Sequence, residues 1–427
     1  MANVGDKVRI ITSEKEVEGI LMPAEHTDSV VVKLKSGYNV GIKKENVKQL
    51  EVIEKYKEEK AAAGKPARNP KLKNITILHT GGTIASKIDY KTGGVVSRFS
   101  AEELMSMFPE LAGIANIETR MVFQMFTEDM EPEHWTILAK AVDDELKRSK
   151  PDGIIIGIGT DTLEYVAGAL SFALQNIPIP VLFVGSQRSS DRPSTDARLN
   201  LMCAAQFIIQ SKCRGVFVCM HENENDESCF IIESYHVKKM HTSRRDTFRP
   251  INRTALASVS AAGKIKFNRE CKNPEGQYEL KNRFSSKVCL VKIHPGFRHE
   301  QLDWYEKNCE GLVIEGYAFG QLPINDLDEY TRHHPKLLEK VRRIAEKMPV
   351  AVVSQRPYGL TFMNVYSTSR DLLNAGVIEA HTQSHVAYAK LCWLLGNVKD
   401  AGKVREDMKR NINGEIVERT EKGTFLI

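Results

Sequence analysis

The sequence predicts an α/β protein in which a small N-terminal β-barrel precedes a two-lobed unit with mainly parallel sheets. Three observations support this prediction. Residues 1–53 contain short segments in which polar and apolar residues alternate, the period of a strand with one buried face. Residues 54–73 are rich in Lys, Glu, Ala and Pro, as linkers are. Beyond residue 74, continuous apolar runs alternate with helical patterns, which is typical of parallel sheets buried on both faces.

Length and composition favour a soluble protein with more than one domain. The chain of 427 residues exceeds what one hydrophobic core usually organises, and 42% of it is hydrophobic against 27% charged. Because no window has the apolar length of a membrane span and the N-terminus lacks a signal-peptide core, we expect a cytoplasmic protein with no membrane partner. The net charge of +5 does not by itself indicate a nucleic-acid footprint.

The eight cysteines form no C-x-x-C pair, and most lie in apolar runs. We therefore expect them to be reduced core residues rather than a disulfide framework or a zinc site.

Taken in order, the elements begin with strands at 7–11, 17–22, 29–34 and 39–42. These make up the barrel, which we interpret as a docking domain because no aromatic stacking platform with basic residues is present. The first lobe, residues 74–261, contains strands at 75–80, 153–159, 180–184 and 215–220 and helices at 132–147, from Leu163, and at 194–210. A polar connection at 262–287 leads to a second lobe, 288–427, with strands at 288–292, 311–315 and 350–353, helices at 337–347 and 385–395, and a strand pair at 415–427.

Several common site types are only weakly indicated. Residues 157–162 resemble a dinucleotide fingerprint but have Thr in place of the third glycine, and no P-loop is present. The segment that starts at His221 lacks the second histidine of a zincin, and no serine lies in a Gly-x-Ser-x-Gly turn. Metal, nucleotide and serine-hydrolase sites are therefore not favoured.

Two threonines at predicted strand ends are stronger candidates. Thr83 follows Gly81 and Gly82, and Thr160 precedes Asp161. A hydroxyl is a weak nucleophile unless a base and a charge partner meet it, and Lys239 is a candidate for that role. Taken singly, Thr160-Asp161 is more often a helix cap and Lys239 a solvated lysine, so only their combination indicates a site.

This combination resembles the L-asparaginase family. The motifs that carry the resemblance are Thr80-Gly81-Gly82-Thr83-Ile84-Ala85, Phe126-Thr127-Glu128-Asp129-Met130, Gly159-Thr160-Asp161-Thr162, Val237-Lys238-Lys239-Met240-His241-Thr242 and Gly311-Leu312-Val313-Ile314-Glu315-Gly316. With the leading barrel and linker, and with residues 239–246, the chain is similar to the D subunits of archaeal glutamyl-tRNA(Gln) amidotransferases.

The resemblance implies the roles of individual residues. Thr83 would attack the side-chain amide carbonyl, while Thr160, Asp161 and Lys239 would activate the second threonine; which threonine forms the covalent bond stays open. The remaining assignments concern the substrate: Thr127 and Glu128 would bind its α-carboxylate and α-amino groups, with Glu128 standing where many asparaginases carry Gln, and Tyr90 would be the lid tyrosine.

The resemblance also implies a glutaminase subunit that hydrolyses glutamine through an acyl-threonine and passes ammonia to a separate chain. That partner, similar to the E subunits of these amidotransferases, would bind tRNA(Gln) and use ATP and Mg to convert Glu-tRNA(Gln) to Gln-tRNA(Gln), so no cofactor is expected in this chain. A homodimer within a heterotetramer is implied. The alternatives are a free-standing cytoplasmic L-asparaginase and a non-catalytic RNA or scaffold protein.

Overall fold

The computed structural model describes residues 2–22, 24, 28–34, 39–55, 68–82, 86–88, 95–97, 107–190 and 194–425. Thr83, Tyr90 and residues 56–67 of the predicted linker lie outside the described residues.

The N-terminal part is one antiparallel sheet. Its strands are β1 (Lys7–Thr12), β2 (Glu16–Met22), β3 (Ser29–Lys33), β4 (Asn39–Lys43) and β5 (Val47–Glu54). The strand order is β4-β3-β2-β1-β5. Alternate residues point into a small core formed by Val8, Ile10, Val17, Val32 and Ile42. The small β-barrel predicted for this region is therefore confirmed as an antiparallel β-module of five strands, one of which, β5, the sequence pattern did not reveal.

The first lobe is organised by an eight-stranded sheet. Its elements are β6 (Asn74–Gly81), β7 (Ser86–Ile88), β8 (Val95–Ser97), α1 (Leu111–Ile114), β9 (Asn116–Met125), α2 (Pro132–Arg148), β10 (Gly153–Gly157), α3 (Leu163–Ala173), β11 (Leu174–Gln175), β12 (Pro180–Val184), α4 (Ala197–Gln210), β13 (Gly215–His221), β14 (Ser228–Glu233), β15 (Val237–Lys239), β16 (Phe248–Pro250), β17 (Ala257–Ser260), β18 (Ile265–Phe267) and β19 (Glu279–Leu280). The sheet order is β18-β17-β14-β13-β12-β10-β6-β9. The five strands from β13 to β9 run parallel, and the other three are antiparallel.

The four inner parallel strands, β6, β10, β12 and β13, are buried on both faces. Along β6, Ile75 and Ile77 pack on the side of α4, whereas Leu78 packs on the side of α3. This explains why β10 is a continuous apolar run instead of an alternating one.

The second lobe has a four-stranded parallel sheet. Its elements are β20 (Val288–Lys292), α5 (Asp303–Asn308), β21 (Gly311–Gly316), α6 (His334–Lys347), β22 (Val350–Ser354), α7 (Ser367–Asn374), β23 (Ile378–Glu379), α8 (Ser384–Asn397) and α9 (Ala401–Lys409). The order is β20-β21-β22-β23. Helix α8 packs against α3 of the first lobe, with Phe172 stacked on Trp393 at 5.7 Å between ring centroids, so one core spans both lobes.

The predicted α/β class with mainly parallel sheets is confirmed, and two expectations are corrected. The strand pair at 415–427 is wrong: up to residue 425 the described chain has no strand after β23, and its last element is α9. The expectation that all eight cysteines are reduced is also wrong, because Cys213 and Cys271 are joined by a disulfide with their Cα atoms 5.9 Å apart. Among the helices of the described ranges, none is both long and apolar enough to cross a bilayer.

Candidate active site

The carboxyl ends of β6 and β10 meet at one edge of the large sheet, where parallel sheets usually place their sites. Gly82, just after β6, has φ +75°, a conformation that side chains rarely adopt. A Cβ on Gly82 would lie 2.2 Å from the backbone nitrogen of Gly159, which follows β10. The two glycines therefore allow the backbones of both strand ends to touch.

We call the place where the ends of β6 and β10 meet the strand-end corner. The Lys239 ammonium lies against its β10 side. It donates to Thr160 Oγ1 at 3.0 Å and to Asp161 Oδ1 at 2.7 Å. The Lys239 side chain is 13% exposed and that of Asp161 is 64% exposed. The contact therefore joins a largely buried ammonium to a carboxylate that faces solvent. Lys239 is placed there by the hairpin of β15 and β16.

Thr127, just after the end of β9, also lies beside the strand-end corner. It begins a short 3₁₀ turn after β9 and is buried, and its carbonyl accepts a hydrogen bond from Thr162 Oγ1 at 2.8 Å. Its own hydroxyl has no hydrogen-bond partner within the described part of the chain. A Cβ built on Gly159 would lie 3.0 Å from that hydroxyl, which places Thr127 directly beside the glycine.

The structure thus brings together four of the seven residues singled out from the sequence: Thr127, Thr160, Asp161 and Lys239. The side chain of Glu128 is exposed and makes no described hydrogen bond or ion pair to these four.

Glu164 was not among the residues that the sequence motifs indicated. It lies in the first turn of α3, is 5% exposed, and accepts the backbone N–H of Lys239 at 2.5 Å and the ammonium of Lys238 at 2.9 Å. An acidic residue near a helix N-terminus is ordinary in a sequence. Only the tertiary structure shows that its partners are residues of β15.

Burial and charge act in opposite directions on Glu164. Burial raises the pKa of its carboxyl, but the charges of His385 in its protonated form and of Lys238, with the hydrogen bond from the Lys239 N–H, outweigh burial and hold that pKa below its ordinary value. His385, from α8, lies 3.9 Å from the carboxylate and is fully buried. Burial lowers the pKa of His385 to about 4, so it is neutral at pH 7. The anion at Glu164 is therefore paired chiefly with Lys238.

This arrangement suits proton transfer at a hydroxyl. An amine within hydrogen-bond distance of both a threonine hydroxyl and a carboxylate can take up or return a proton as the oxygen reacts. Among the residues that the structure describes, no group of three His, Cys, Asp or Glu side chains is placed to hold a metal ion.

Family models match three stretches of the chain. The first is "GatD N-terminal domain" at residues 2–53, the second "Asparaginase, N-terminal" at 74–273, and the third "Glutaminase/Asparaginase C-terminal domain" at 287–408.

Curated relatives match over the whole length. The D subunit of glutamyl-tRNA(Gln) amidotransferase from Pyrococcus furiosus is 43% identical, with 99% of this chain and 97% of the relative covered. The protein of the same name from Methanothermobacter thermautotrophicus is 41% identical, with 99% and 96% covered.

Solved structures match the two-lobed part. The thermostable L-asparaginase from Thermococcus kodakarensis is 32% identical, with a TM-score of 0.71 over 81% of this chain and 99% of the other. L-asparaginase I from Vibrio cholerae, 24% identical with a TM-score of 0.69 over 82% and 100% of the chains, shows the same fold.

Proposed function

The chain belongs to the family of glutamyl-tRNA(Gln) amidotransferase D subunits, and from this we propose that it is the glutaminase of such an enzyme. It hydrolyses the side-chain amide of glutamine and supplies the ammonia to a partner chain. The observation that carries the chemical part of this proposal is the contact of the Lys239 ammonium with Thr160 and Asp161 at the strand-end corner.

In the proposed reaction, a threonine hydroxyl attacks the amide carbonyl of glutamine. We assign the first attack to Thr83, with Thr160, Asp161 and Lys239 as the proton relay. The hydroxyl proton passes through the relay to the departing nitrogen, so that ammonia leaves and an acyl-threonine ester forms. Water then cleaves the ester to give glutamate and restores the hydroxyl. Backbone N–H groups near the Gly81-Gly82 turn and at the start of α3 would stabilise the oxyanion.

The substrate's charged groups would be bound near Thr127. Its buried hydroxyl has free hydrogen-bonding capacity and lies beside Gly159, which suits a carboxylate acceptor. Glu128 would attract the α-ammonium group, and its exposed side chain can turn toward a bound amino acid. Tyr90 is assigned to the lid on sequence alone.

The ammonia would be consumed by a second chain. We propose a partner similar to the E subunits of these amidotransferases, which binds tRNA(Gln) and uses ATP and Mg to convert Glu-tRNA(Gln) to Gln-tRNA(Gln). The relatives are named as one subunit of a larger enzyme, and this supports assembly with other subunits. A homodimer bearing two partner chains is the assembly that we propose, with residues 1–53 as the docking domain.

A free-standing asparaginase is the second candidate, because an L-asparaginase structure is 32% identical to the chain. That match covers 81% of the chain, whereas the amidotransferase relatives cover 99% of it, and residues 2–53 match an N-terminal domain model of their own. The comparisons therefore favour the amidotransferase subunit. The contacts of Lys239 argue against a non-catalytic scaffold.

The two enzymes differ in how their activity depends on a partner. Ammonia release from glutamine and from asparagine is to be measured for the full chain alone and with the partner chain plus Glu-tRNA(Gln). We expect glutamine hydrolysis to rise when partner and tRNA are added. Strong asparagine turnover by the isolated chain, unchanged by the partner, would contradict the proposal.

Removing the relay lysine tests the assigned chemistry. We expect Lys239→Ala to lower kcat for glutamine by about 10³-fold, the size typical of losing a group that transfers protons. Lys266→Ala, which removes an exposed strand lysine, is the control and should leave kcat unchanged. Normal turnover in Lys239→Ala with unchanged thermal unfolding would refute the assigned role.

A further inference from the structure

Lys239 is held at both of its ends by one short segment of chain. Its ammonium contacts Thr160 and Asp161, while its backbone N–H donates to Glu164, which lies one helical turn beyond Thr160. The strand-end loop, the first turn of α3 and the lysine therefore form a closed ring of contacts.

The strand that carries Lys239 is held against this corner by side chains: Val237 is fully buried in the core that spans both lobes, and Glu164 contacts the two residues that follow it. Strand β15 is three residues long, and in the described residues it pairs only with β16, in a two-stranded sheet separate from the large one. Its place relative to α3 must therefore depend on side-chain contacts. Glu164 supplies two of these, to consecutive residues of β15.

The Glu164 carboxylate is suited to a fixed contact. Its side chain is 7% exposed, so water cannot readily replace Lys238 and Lys239 as its hydrogen-bond partners. Hydrogen bonds to a charged acceptor are about twice as strong as neutral ones. His385, from the second lobe, is fully buried and its Nδ1 lies 3.9 Å from Glu164 Oε1.

We propose that Glu164 is a positioning residue for amide hydrolysis, which holds the backbone of Lys239 so that the ammonium stays within reach of Thr160 and Asp161. The ammonium is held by Thr160 and Asp161, and fixing the backbone of the same residue keeps the start of the side chain at a distance from which the ammonium reaches both oxygens. The inference rests on the proposed function, because it assigns Glu164 a role in that reaction.

Substitutions at Glu164 test this role in the full chain assembled with its partner. Glu164→Gln keeps the size and one acceptor oxygen but loses the charge, and we expect kcat for glutamine to fall about 10-fold. Glu164→Ala removes both contacts, and we expect a loss of about 100-fold, the size known for small misplacements of catalytic groups. KM should change by less than about twofold, because Glu164 lies behind the lysine instead of in the substrate's path.

Glu145→Gln is the matched control. Glu145 is also a fully buried carboxylate paired with basic side chains, but it lies on α2 and contacts Arg148 and Arg120. We expect this variant to lower the unfolding temperature about as much as Glu164→Gln while leaving kcat unchanged.

The outcomes separate the two proposals. Absence of glutamine turnover in the unsubstituted complex would contradict the proposed function. Normal kcat in Glu164→Gln and Glu164→Ala would overturn only the positioning role. Equal losses of kcat in Glu145→Gln and Glu164→Gln would also overturn it, since general destabilisation would then explain both. If Glu164→Ala does not fold, the isosteric Glu164→Gln decides.

Discussion

The contact between Gly82 and Gly159 leaves no room for a side chain at Gly82. We expect Gly82→Ala to lower the free energy of unfolding by more than about 2 kcal/mol, because φ +75° is strained for alanine and the new Cβ would meet backbone atoms. Amide hydrolysis should fall too, since Thr83 is the next residue. Urea unfolding and ammonia release measure both effects.

Gly168→Ala is the control for this substitution. Gly168 lies inside α3, where a Cβ would meet nothing within 4 Å, so alanine should stabilise the protein by about 0.5–1 kcal/mol through its higher helix propensity. Equal effects of the two substitutions would contradict the argument from backbone contact.

At the same scale, the sequence indicated some residues of the site and not others. Lys239 could be singled out because its motif resembles a family motif, and the structure places its ammonium against Thr160 and Asp161. Glu164 could not, because its partners are 74 and 75 residues away along the chain and no local pattern records such a pairing. The catalytic roles themselves stay predictions until they are assayed.

At the scale of elements, the spacing of apolar residues in the sequence predicted those strands and helices whose pattern reflects burial. Strands β10 and β12 are apolar throughout because helices cover both sheet faces, and helix α2 shows one buried stripe. The segment at 415–427, after α9, was wrongly predicted as a strand pair. Its described backbone N–H groups do not pair with a neighbouring strand: that of Ile416 donates to Asn411 Oδ1, and that of Glu421 donates to the carbonyl of Asn252. The disulfide was missed because Cys213 and Cys271 are 58 residues apart and spacing does not tell which cysteines meet.

Helix α8 holds that last segment through a buried ion pair. The Lys390 ammonium, 1% exposed, donates to Glu415 Oε1 at 2.7 Å. We expect Glu415→Ala to cost about 3–5 kcal/mol, because it leaves a buried cation without its counter-ion. Urea unfolding followed by tryptophan fluorescence measures this cost, and Trp393 on the same helix should report it.

The double variant Lys390→Met/Glu415→Leu separates pairing from packing. Since it leaves no buried charge, its stability should return to within about 1–2 kcal/mol of the original protein. A double variant as unstable as the sum of the single ones would contradict this expectation, because additive losses mean that the two side chains do not stabilise each other.

At the scale of the whole molecule, three buried histidines make stability depend on pH. Burial lowers the pKa values of His79, His236 and His385 to about 4. The unfolded chain, with histidine pKa values near 6.5, therefore binds more protons between pH 4 and 6.5, and the folded state loses stability as pH falls through this range. Between pH 7.5 and 5.5 we expect a loss of roughly 1.4 kcal/mol per histidine, about 4 kcal/mol in total.

His79→Phe checks this expectation by urea unfolding at the two pH values. Neither ring nitrogen of His79 has a hydrogen-bond partner in the described residues, so phenylalanine can replace it without stranding a polar group. The fall in stability should shrink by about a third. Identical pH dependence in the variant would contradict the assignment to buried histidines.

The core shared by α3 and α8 limits how the molecule can admit its substrate. A hinge motion that separated the lobes would expose Phe172, Trp393 and their neighbours to water, at about 25 cal/mol for each Å² of apolar surface. Glutamine must therefore enter, and glutamate leave, through local rearrangement at the strand ends, with the two lobes moving as one body.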